Sequence, residues 1–385
     1  MIRAFNFINL FRAVAAYWVL VAHCIIWGGW SPPFPVPDAK IAVDLFMMIS
    51  GYLMAANAAA RANLEPLEQK QNWIRFWLRR FFRLAPGYYL SLLVAVLTST
   101  YFLAGYHHLQ QLTPLRWPPG GVYDPLTTVY DFKNIWLHLT FLFGLSPRYS
   151  FSTFLPDWSL SLEMQFYIAF PILYLCLHRG GFVKIGTVLG LVCFAAGVAI
   201  QRIFNFDEPS LLIFKLNYFI AGILIYRFLA SSYKRESKPL LALAAISLVS
   251  IDARYHSQLL LLPILASLML VLGWLETQKT TPEKIRNVVN SKIITFASNT
   301  SYGVYLFHGF YISGSGLLIH SSTYLQSLAP ADRVAAMIAF VSCCTYITAY
   351  FVYKFVEIPF IEAGKKVINR LAPVKTNKNA HESAT

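Results

Sequence analysis

The sequence predicts an all-α, polytopic membrane protein with about ten transmembrane helices and both termini in the cytoplasm. Of its 385 residues, 57% are hydrophobic and only 13% are charged, whereas a soluble domain carries about 25% charged residues. The mean hydropathy is +0.51, and the apolar residues are grouped into segments about 20 residues long, enough to cross a bilayer as a helix. This composition excludes a soluble enzyme fold.

Ten apolar segments are predicted to cross the membrane. They are 8–27, 41–58, 84–105, 159–177, 185–203, 211–229, 240–253, 259–275, 301–320 and 335–355. An eleventh segment, 135–145, is too short to cross and is predicted to be a half or re-entrant helix. We therefore predict one transmembrane domain over 1–360, followed by a polar, basic, disordered cytoplasmic tail over 361–385.

The orientation follows from the distribution of the 32 Lys and Arg residues, because cytoplasmic loops carry an excess of them. With the N-terminus inside, 22 lie on inner segments and eight on outer loops. This asymmetry accounts for the net charge of +14 without a nucleic-acid partner. The five cysteines lie in apolar spans with no C-x-x-C spacing, so neither disulfides nor a zinc site is predicted.

Arg12 and His23 lie on one face of the first predicted span. They are 11 residues apart, which returns to within about 20° of the starting direction after about 16 Å of helix. Ionisable side chains in hydrocarbon are costly and mark functional sites. The pair can therefore line a passage across the membrane. The alternative is an arginine that reaches the inner surface and a histidine that bonds to a neighbouring helix.

Asp44 and Glu163 are carboxylates predicted at about the depth of His23. Asp44 lies in the second span, and Glu163 begins the fourth, close to Ser159 and Ser161. A histidine oriented by a buried carboxylate is the minimum needed for general-base activation of a hydroxyl. We take the histidine and both carboxylates as candidate catalytic residues, with the two serines in support. Alternatively, Asp44 is an interfacial carboxylate at a helix start.

His308 and Tyr305 lie three residues apart on one helical face in SYGVYLFHGF. They can bind a substrate, or His308 can simply hydrogen-bond to a packed helix. None of the candidate His, Asp and Glu side chains pairs with another at ligand spacing on one helix. No metal site is therefore predicted.

Four arginines lie among aromatic residues in QNWIRFWLRRFFRLAPGYY: Arg75, Arg79, Arg80 and Arg83. Clustered guanidinium groups bind phosphates through paired hydrogen bonds. The alternative is a basic and aromatic anchor for anionic lipid head groups. The chemistry of the residues does not separate the two.

Six segments resemble motifs of the membrane acyltransferase 3 family, the O-antigen and exopolysaccharide O-acetyltransferase type. They are FRAVAAYWVLVAHC, VDLFMMISGYLM, RRFFRLAPGYY, DWSLSLEMQFYIAFP, SYGVYLFH and FVEIPF. They occur in the family's order and run from Phe11 to Phe360. Each motif is loose, but six in order are specific.

The resemblance implies a multi-pass protein of the bacterial inner membrane that transfers an acyl group, usually acetyl from acetyl-CoA, to a hydroxyl of a glycan or lipid-linked saccharide. Acetyl-CoA would be a donor substrate rather than a permanently bound cofactor. Membrane lipids would surround the protein. The resemblance implies roles for Arg12, His23, Arg80, Arg83 and Glu163. Many relatives carry a soluble esterase-like domain after the last span; this chain is expected to be the stand-alone form.

The combined hypothesis is that acyl-CoA binds through its phosphates at the two arginines of RRFFR and enters the bundle beside Arg12. His23, oriented by Glu163 or Asp44, then deprotonates the acceptor hydroxyl or takes the acyl group itself. His308 is expected to bind substrate or to help polarise the acyl group.

Three alternatives remain open at this stage. In a proton-coupled or small-molecule transporter the same ionisable residues would be proton relays. An acyltransferase could also act on a small molecule other than a glycan. A scaffold or flippase subunit of an export complex would need none of the polar residues buried.

Overall fold

A computed structural model describes residues 6–33, 38–114, 117–118, 120–121, 124–230, 237–251 and 260–371. These residues are 82% helical and contain no β-strand. The all-α class predicted from the sequence is therefore confirmed.

The described residues form fifteen α-helices. In chain order they are α1 (Phe7–Gly28), α2 (Ala39–Arg61), α3 (Gln71–Leu97), α4 (Ser99–Leu112), α5 (Phe132–Leu139), α6 (Trp158–Gly180), α7 (Phe182–Phe204), α8 (Leu212–Leu229), α9 (Lys238–Ser250), α10 (Leu261–Gln278), α11 (Glu283–Val289), α12 (Lys292–Ser321), α13 (Thr323–Ser327), α14 (Pro330–Val352) and α15 (Ile358–Arg370). Short 3₁₀ turns lie at Pro125–Thr127, Phe143–Leu145 and Pro147–Tyr149. A π-helical turn, Tyr353–Glu357, joins α14 to α15.

Eight of the described helical segments are long and apolar enough to cross a membrane. They are α1, α2, α3, α6, α7, α8, α10 and the continuous segment Pro330–Arg370. Two of the ten predicted crossings are not among them. The segment 240–253 coincides with α9, which has only 13 residues, and residues 252–259 lie outside the described part. The segment 301–320 lies in α12, whose Ser, Thr, Gly and His residues lower its hydropathy although its length of about 45 Å would span a bilayer.

The predicted crossing 84–105 is divided between two helices, which corrects its boundaries. Thr98 ends α3 and precedes α4, with φ −105° and ψ 12°. Its hydroxyl and its backbone N–H both donate to the carbonyl oxygen of Val94, at 2.7 and 2.9 Å. A hydroxyl that competes for the carbonyl four residues earlier bends helices. The α3 helix instead begins at Gln71, so that the arginine-rich segment is its first half.

The core of the bundle is built around α8, almost all of whose side chains are buried. Its closest partner is α2, and the contact depends on two glycines. A Cβ atom on Gly51 would collide with the carbonyl oxygen of Phe219, and one on Gly222 with that of Met48. Small residues let helix backbones approach closely in membrane proteins. Gly51 and Gly222 thus permit the close packing of α2 on α8.

The segment predicted as a half or re-entrant helix, 135–145, is short. The eight-residue α5 begins at Phe132 and ends at Leu139, and a 3₁₀ turn follows at Phe143–Leu145. Beyond the last span, α15 continues to Arg370. The predicted tail therefore begins inside this helix, and residues 372–385 lie outside the described part.

Candidate functional site

Two cavities lie within the bundle and meet at two side chains. The first, here the arginine cavity, encloses about 800 Å³ of atom-free space, open solvent included. The second, here the histidine cavity, encloses about 1060 Å³ on the same basis. Val43 of α2 and Tyr305 of α12 line both. The arginine cavity is lined among others by Arg12, Ser50, Arg80, Arg83, Ser159, Glu163, Tyr167, Ser301 and Tyr302. The histidine cavity is lined among others by His23, Trp27, Lys40, Tyr106, Trp117, Phe154, Trp158, Glu208 and His308.

The arginine cavity brings together the three predicted donor-binding residues. Arg12 Nη2 donates a hydrogen bond to Ser301 Oγ at 3.1 Å. Because the serine hydroxyl is uncharged, this contact does not neutralise the guanidinium. Arg83 Nη1 lies 2.6 Å from a carboxylate oxygen of the buried Glu357. The guanidinium of Arg80 lies over the rings of Phe76 and Tyr167, and its buried Nε has no hydrogen-bond partner in the described residues. An anion entering this cavity would meet cationic donors held in place by the helices.

The other two arginines of α3 face a different partner. Arg79 binds Glu65 through both guanidinium nitrogens, at 3.1 and 2.5 Å. Arg75 Nη1 lies 3.7 Å from the same carboxylate. Arg75 and Arg79 share this one carboxylate and do not line the cavity, so of the four arginines only Arg80 and Arg83 line it. The sequence alone does not make this distinction.

Glu163 lies in the arginine cavity rather than beside His23. It accepts a hydrogen bond from Ser50 Oγ at 2.8 Å and another from the hydroxyl of Tyr167. Its position one helical turn before Tyr167 on α6 sets up the second contact. Glu163 therefore belongs with the arginines, and the expectation that it orients His23 is corrected.

His23 is oriented by His308. Nδ1 of His23 lies 2.8 Å from Nε2 of His308, and the two rings are stacked at an interplanar angle of 13°. On its other side, His308 Nδ1 lies 3.1 Å from the Val304 carbonyl oxygen and 2.9 Å from that of Tyr305. A carbonyl oxygen only accepts, so His308 Nδ1 carries a proton and, in the neutral ring, its Nε2 accepts from Nδ1–H of His23.

This chain of hydrogen bonds fixes the tautomer of His23. Its Nε2 is left with a lone pair, and none of the other described hydrogen bonds involves His23. His23 is half-buried and lines the histidine cavity. A neutral imidazole nitrogen facing a cavity can take a proton from a hydroxyl bound there.

Asp44 is paired with a lysine that the sequence analysis did not connect with it. Lys215 Nζ of α8 lies 2.6 and 2.8 Å from the two carboxylate oxygens, and both side chains are fully buried. The pair joins α2 to α8 close to their glycine contacts. The expectation that Asp44 orients His23 is therefore corrected, because its carboxylate is committed to this ion pair.

The two supporting serines have different places. Ser159 Oγ lies 2.8 Å from the hydroxyl of Tyr305, where the two cavities meet. Ser161 is buried and donates to the carbonyl oxygen of Phe141 at 2.6 Å. Ser161 thus attaches α6 to the turn after α5 and lines neither cavity.

The wall of the histidine cavity is largely aromatic. Trp27 is stacked on Trp117, with ring centroids 4.8 Å apart and an interplanar angle of 18°, and its edge contacts Tyr106. An ion pair of 2.9 Å between Lys40 and Glu208 adds charge to this wall. A flat aromatic surface beside a few charged groups suits a ligand with both apolar faces and hydroxyl groups.

A buried polar cluster outside both cavities was also missed from the sequence. The hydroxyl of Tyr88 donates to Asp157 at 2.9 Å and lies 2.7 Å from His138 Nδ1. His138 Nε2 lies 3.1 Å from Ser152 Oγ. The cluster fastens the segment 132–157 to α3. Among the described residues, no group of three or more His, Cys, Asp or Glu could hold a metal ion.

Comparison with known proteins decides the family. A family profile described as an acyltransferase domain matches residues 5–350. The chain belongs to this acyltransferase 3 family. The match contains both cavities and their ionisable side chains, and the many apolar helices make the protein a multi-pass membrane member of the family.

Curated relatives are distant but extend over most of the chain. The peptidoglycan O-acetyltransferase OatA of Listeria monocytogenes is 24% identical over 84% of this chain and 51% of its own length. A putative O-acetyltransferase of Staphylococcus aureus is 23% identical over 93% of this chain and 57% of its own. The acyltransferase MdmB of Streptomyces mycarofaciens is 30% identical over 35% of this chain and 28% of its own. The chain spans about half the length of the first two relatives. No solved structure matches significantly.

Proposed function

We propose that the chain is an O-acyltransferase of the bacterial inner membrane that transfers acetyl from acetyl-CoA to a hydroxyl of a cell-surface or exported glycan. The observation that carries the proposal is the contact between His23 and His308. It leaves the lone pair of Nε2 free on His23, a residue that lines the histidine cavity. The relatives named O-acetyltransferases support the reaction class.

The donor would bind in the arginine cavity from the cytoplasmic side. Its phosphates require several cationic donors, and Arg12, Arg80 and Arg83 line that cavity. Glu163 and Glu357 accompany these arginines and limit their mutual repulsion. The acyl end of the donor would then point towards Val43 and Tyr305, where the second cavity begins.

The acceptor would bind in the histidine cavity. A sugar presents an apolar ring face and several hydroxyl groups, which matches an aromatic wall of Trp27 and Trp117 beside the Lys40–Glu208 pair. We infer a glycan acceptor from the aromatic wall of the histidine cavity and not from the names of the relatives.

The reaction follows from the two sites. Nε2 of His23 takes the proton of the acceptor hydroxyl, and the hydroxyl oxygen forms a bond to the thioester carbon. The carbon–sulfur bond breaks, and the proton passes from His23 to the departing thiolate, so that the products are the O-acyl acceptor and free CoA. Tyr305, held by Ser159, lies where its hydroxyl can donate to the thioester oxygen as negative charge develops there.

The test is mass spectrometry of surface glycans from the source cells with and without the chain. We expect a mass loss of one acetyl group per repeat when the chain is absent, and restoration by the wild-type chain. Unchanged glycans alongside an acylated small molecule would move the acceptor outside the glycans. Unchanged glycans and small molecules, with the protein in the membrane, would favour transport and contradict the proposal.

A further inference from the structure

The two cavities are separated by a partition made of Val43 and Tyr305. These are the side chains that line both cavities, and both are almost fully buried, at 5% and 6% exposure. The phenol of Tyr305 is fixed at one end by Ser159, 2.8 Å away. Phe46 packs its ring against Tyr305 at a centroid distance of 6.2 Å. These contacts hold the partition within the packed core and leave it little freedom to move aside.

The cavity arginines and the neutral His23 lie on opposite sides of this partition. Arg12, Arg80 and Arg83 line only the arginine cavity, whereas His23 lines only the histidine cavity. A donor held by its phosphates at the arginines meets an acceptor activated by His23 only where the cavities join. The reacting carbonyl must therefore lie beside Val43 and Tyr305.

The position of the carbonyl limits what can be attached to it. The acyl group is the leading end of the donor, so every carbon beyond the carbonyl must fit at the partition or compete with the acceptor for the histidine cavity. An acetyl group adds one methyl beyond the carbonyl. Each further methylene needs space that the branched side chain of Val43 and the ring of Tyr305 occupy.

We propose that the partition of Val43 and Tyr305 selects the length of the transferred acyl group and restricts the donor to acetyl. This inference rests on the proposed acyl transfer. In the transfer, the carbonyl carbon bonds to the acceptor oxygen and its bond to sulfur breaks, while the hydroxyl proton passes through His23 to the thiolate. Neither partition residue forms or breaks a covalent bond, and the hydrogen bond from the Tyr305 hydroxyl to the carbonyl oxygen is the same for every acyl length, so selection among donors comes from the volume that the partition occupies.

The experiment uses the full chain in membranes, with isotope-labelled acetyl-, propionyl- and butyryl-CoA as donors. The acceptor is the envelope glycan fraction of cells that lack the chain. The wild type should transfer acetyl at least about tenfold faster than butyryl, since one or two methylenes at an apolar wall discriminate by roughly 10- to 200-fold. Val43→Ala, which removes two methyl groups from the partition, should raise the butyryl-to-acetyl ratio about tenfold.

Two matched controls remove similar volume elsewhere. Val19→Ala deletes the same atoms from a residue that lines only the histidine cavity, and Ile49→Val deletes one methyl from the arginine cavity alone. Both should keep the wild-type ratio, whatever their effect on the rate. Val43→Thr keeps the branched shape and should also keep the ratio. If Val43→Ala fails to accumulate, Val43→Ile tests the opposite direction and should lower the propionyl-to-acetyl ratio.

The outcomes separate the inference from the function on which it rests. Acetyl transfer by the wild type with an unchanged ratio in the folded Val43 variants would overturn the role of the partition. An equal rise of the ratio in Val19→Ala would also overturn it, because the selecting space would then be the histidine cavity as a whole. Absence of transfer from every donor by the wild type would contradict the proposed function itself.

Discussion

His23 Nδ1 lies 2.8 Å from His308 Nε2, and the second histidine is itself anchored to backbone carbonyl oxygens of its own helix. This relationship joins α1 to α12 and fixes which nitrogen of His23 carries the proton. It assigns to His308 the positioning task that a carboxylate performs in many general-base pairs. His308 itself need not touch the substrate for this task.

His308→Ala should therefore lower the rate of acyl transfer by about 10- to 100-fold, less than the loss of a general base, which is typically 10²- to 10⁴-fold. The reason is that His23 keeps its basic nitrogen but loses the partner that fixes its tautomer. His308→Gln, whose amide oxygen can accept from Nδ1–H, should recover part of the rate. Initial rates with labelled acetyl-CoA measure both. Equal rates for the Ala and Gln variants would contradict a positioning role.

Arg80→Ala should weaken binding of acyl-CoA about tenfold or more, because the substitution removes a guanidinium that would bind a phosphate of the donor. The matched control is Arg79→Ala, one residue earlier on α3, whose charge is committed to Glu65. Its binding affinity should change by less than about threefold. Calorimetric titration of CoA into the purified protein makes the comparison. Similar losses in both variants would point to a general effect of basic charge at the membrane surface.

The Asp44–Lys215 pair should contribute to stability and not to chemistry. Asp44→Asn or Lys215→Met alone leaves a buried charge without its ion-pair partner, which costs about 3–5 kcal/mol. Each variant should therefore melt at a lower temperature in detergent. The double variant, with neither charge, should recover much of the loss. A fully stable Asp44→Asn variant that lacks activity would return Asp44 to the catalytic residues.

Gly51→Ala should prevent the close approach of α2 and α8, because the added Cβ would collide with the Phe219 carbonyl oxygen. Neither that carbonyl nor the glycine can shift without moving its helix. The control is Gly314→Ala on α12, where the nearest atom to the new Cβ is Phe340 Cε1 at 4.0 Å. Protein accumulation in membranes and the melting temperature should fall for Gly51→Ala and stay near the wild type for the control.

The sequence predicted the helical class and most of the crossings because apolar segments of about 20 residues are a local signal. It also predicted the residue types of the site, since ionisable groups in such segments are few. The boundary at Thr98 was missed because a hydroxyl bonded to the Val94 carbonyl leaves hydropathy unchanged. The short α9 coincides with the shortest of the predicted crossings.

The sequence did not predict which side chains of different helices pair with each other in the bundle. Asp44 and Lys215 are separated by 171 residues and lie in two different predicted crossings. Glu357 appeared only within the FVEIPF motif, and the π-helical turn that contains it has no sequence signal of its own. Which histidine meets which carboxylate depends on helix packing. The sequence could therefore name His23, Glu163 and His308 together without pairing them correctly.

The most direct test of the account is transfer of labelled acetyl by His23→Ala, measured beside wild type and His320→Ala. His320 is an exposed histidine near the end of α12, so its variant controls for loss of a histidine without loss of the site. With equal amounts of folded protein in the membranes, mass spectrometry of the envelope glycans should detect labelled acetyl for the wild type and His320→Ala and background label for His23→Ala. Label at the wild-type level in His23→Ala would remove His23 from the reaction and contradict the central claim.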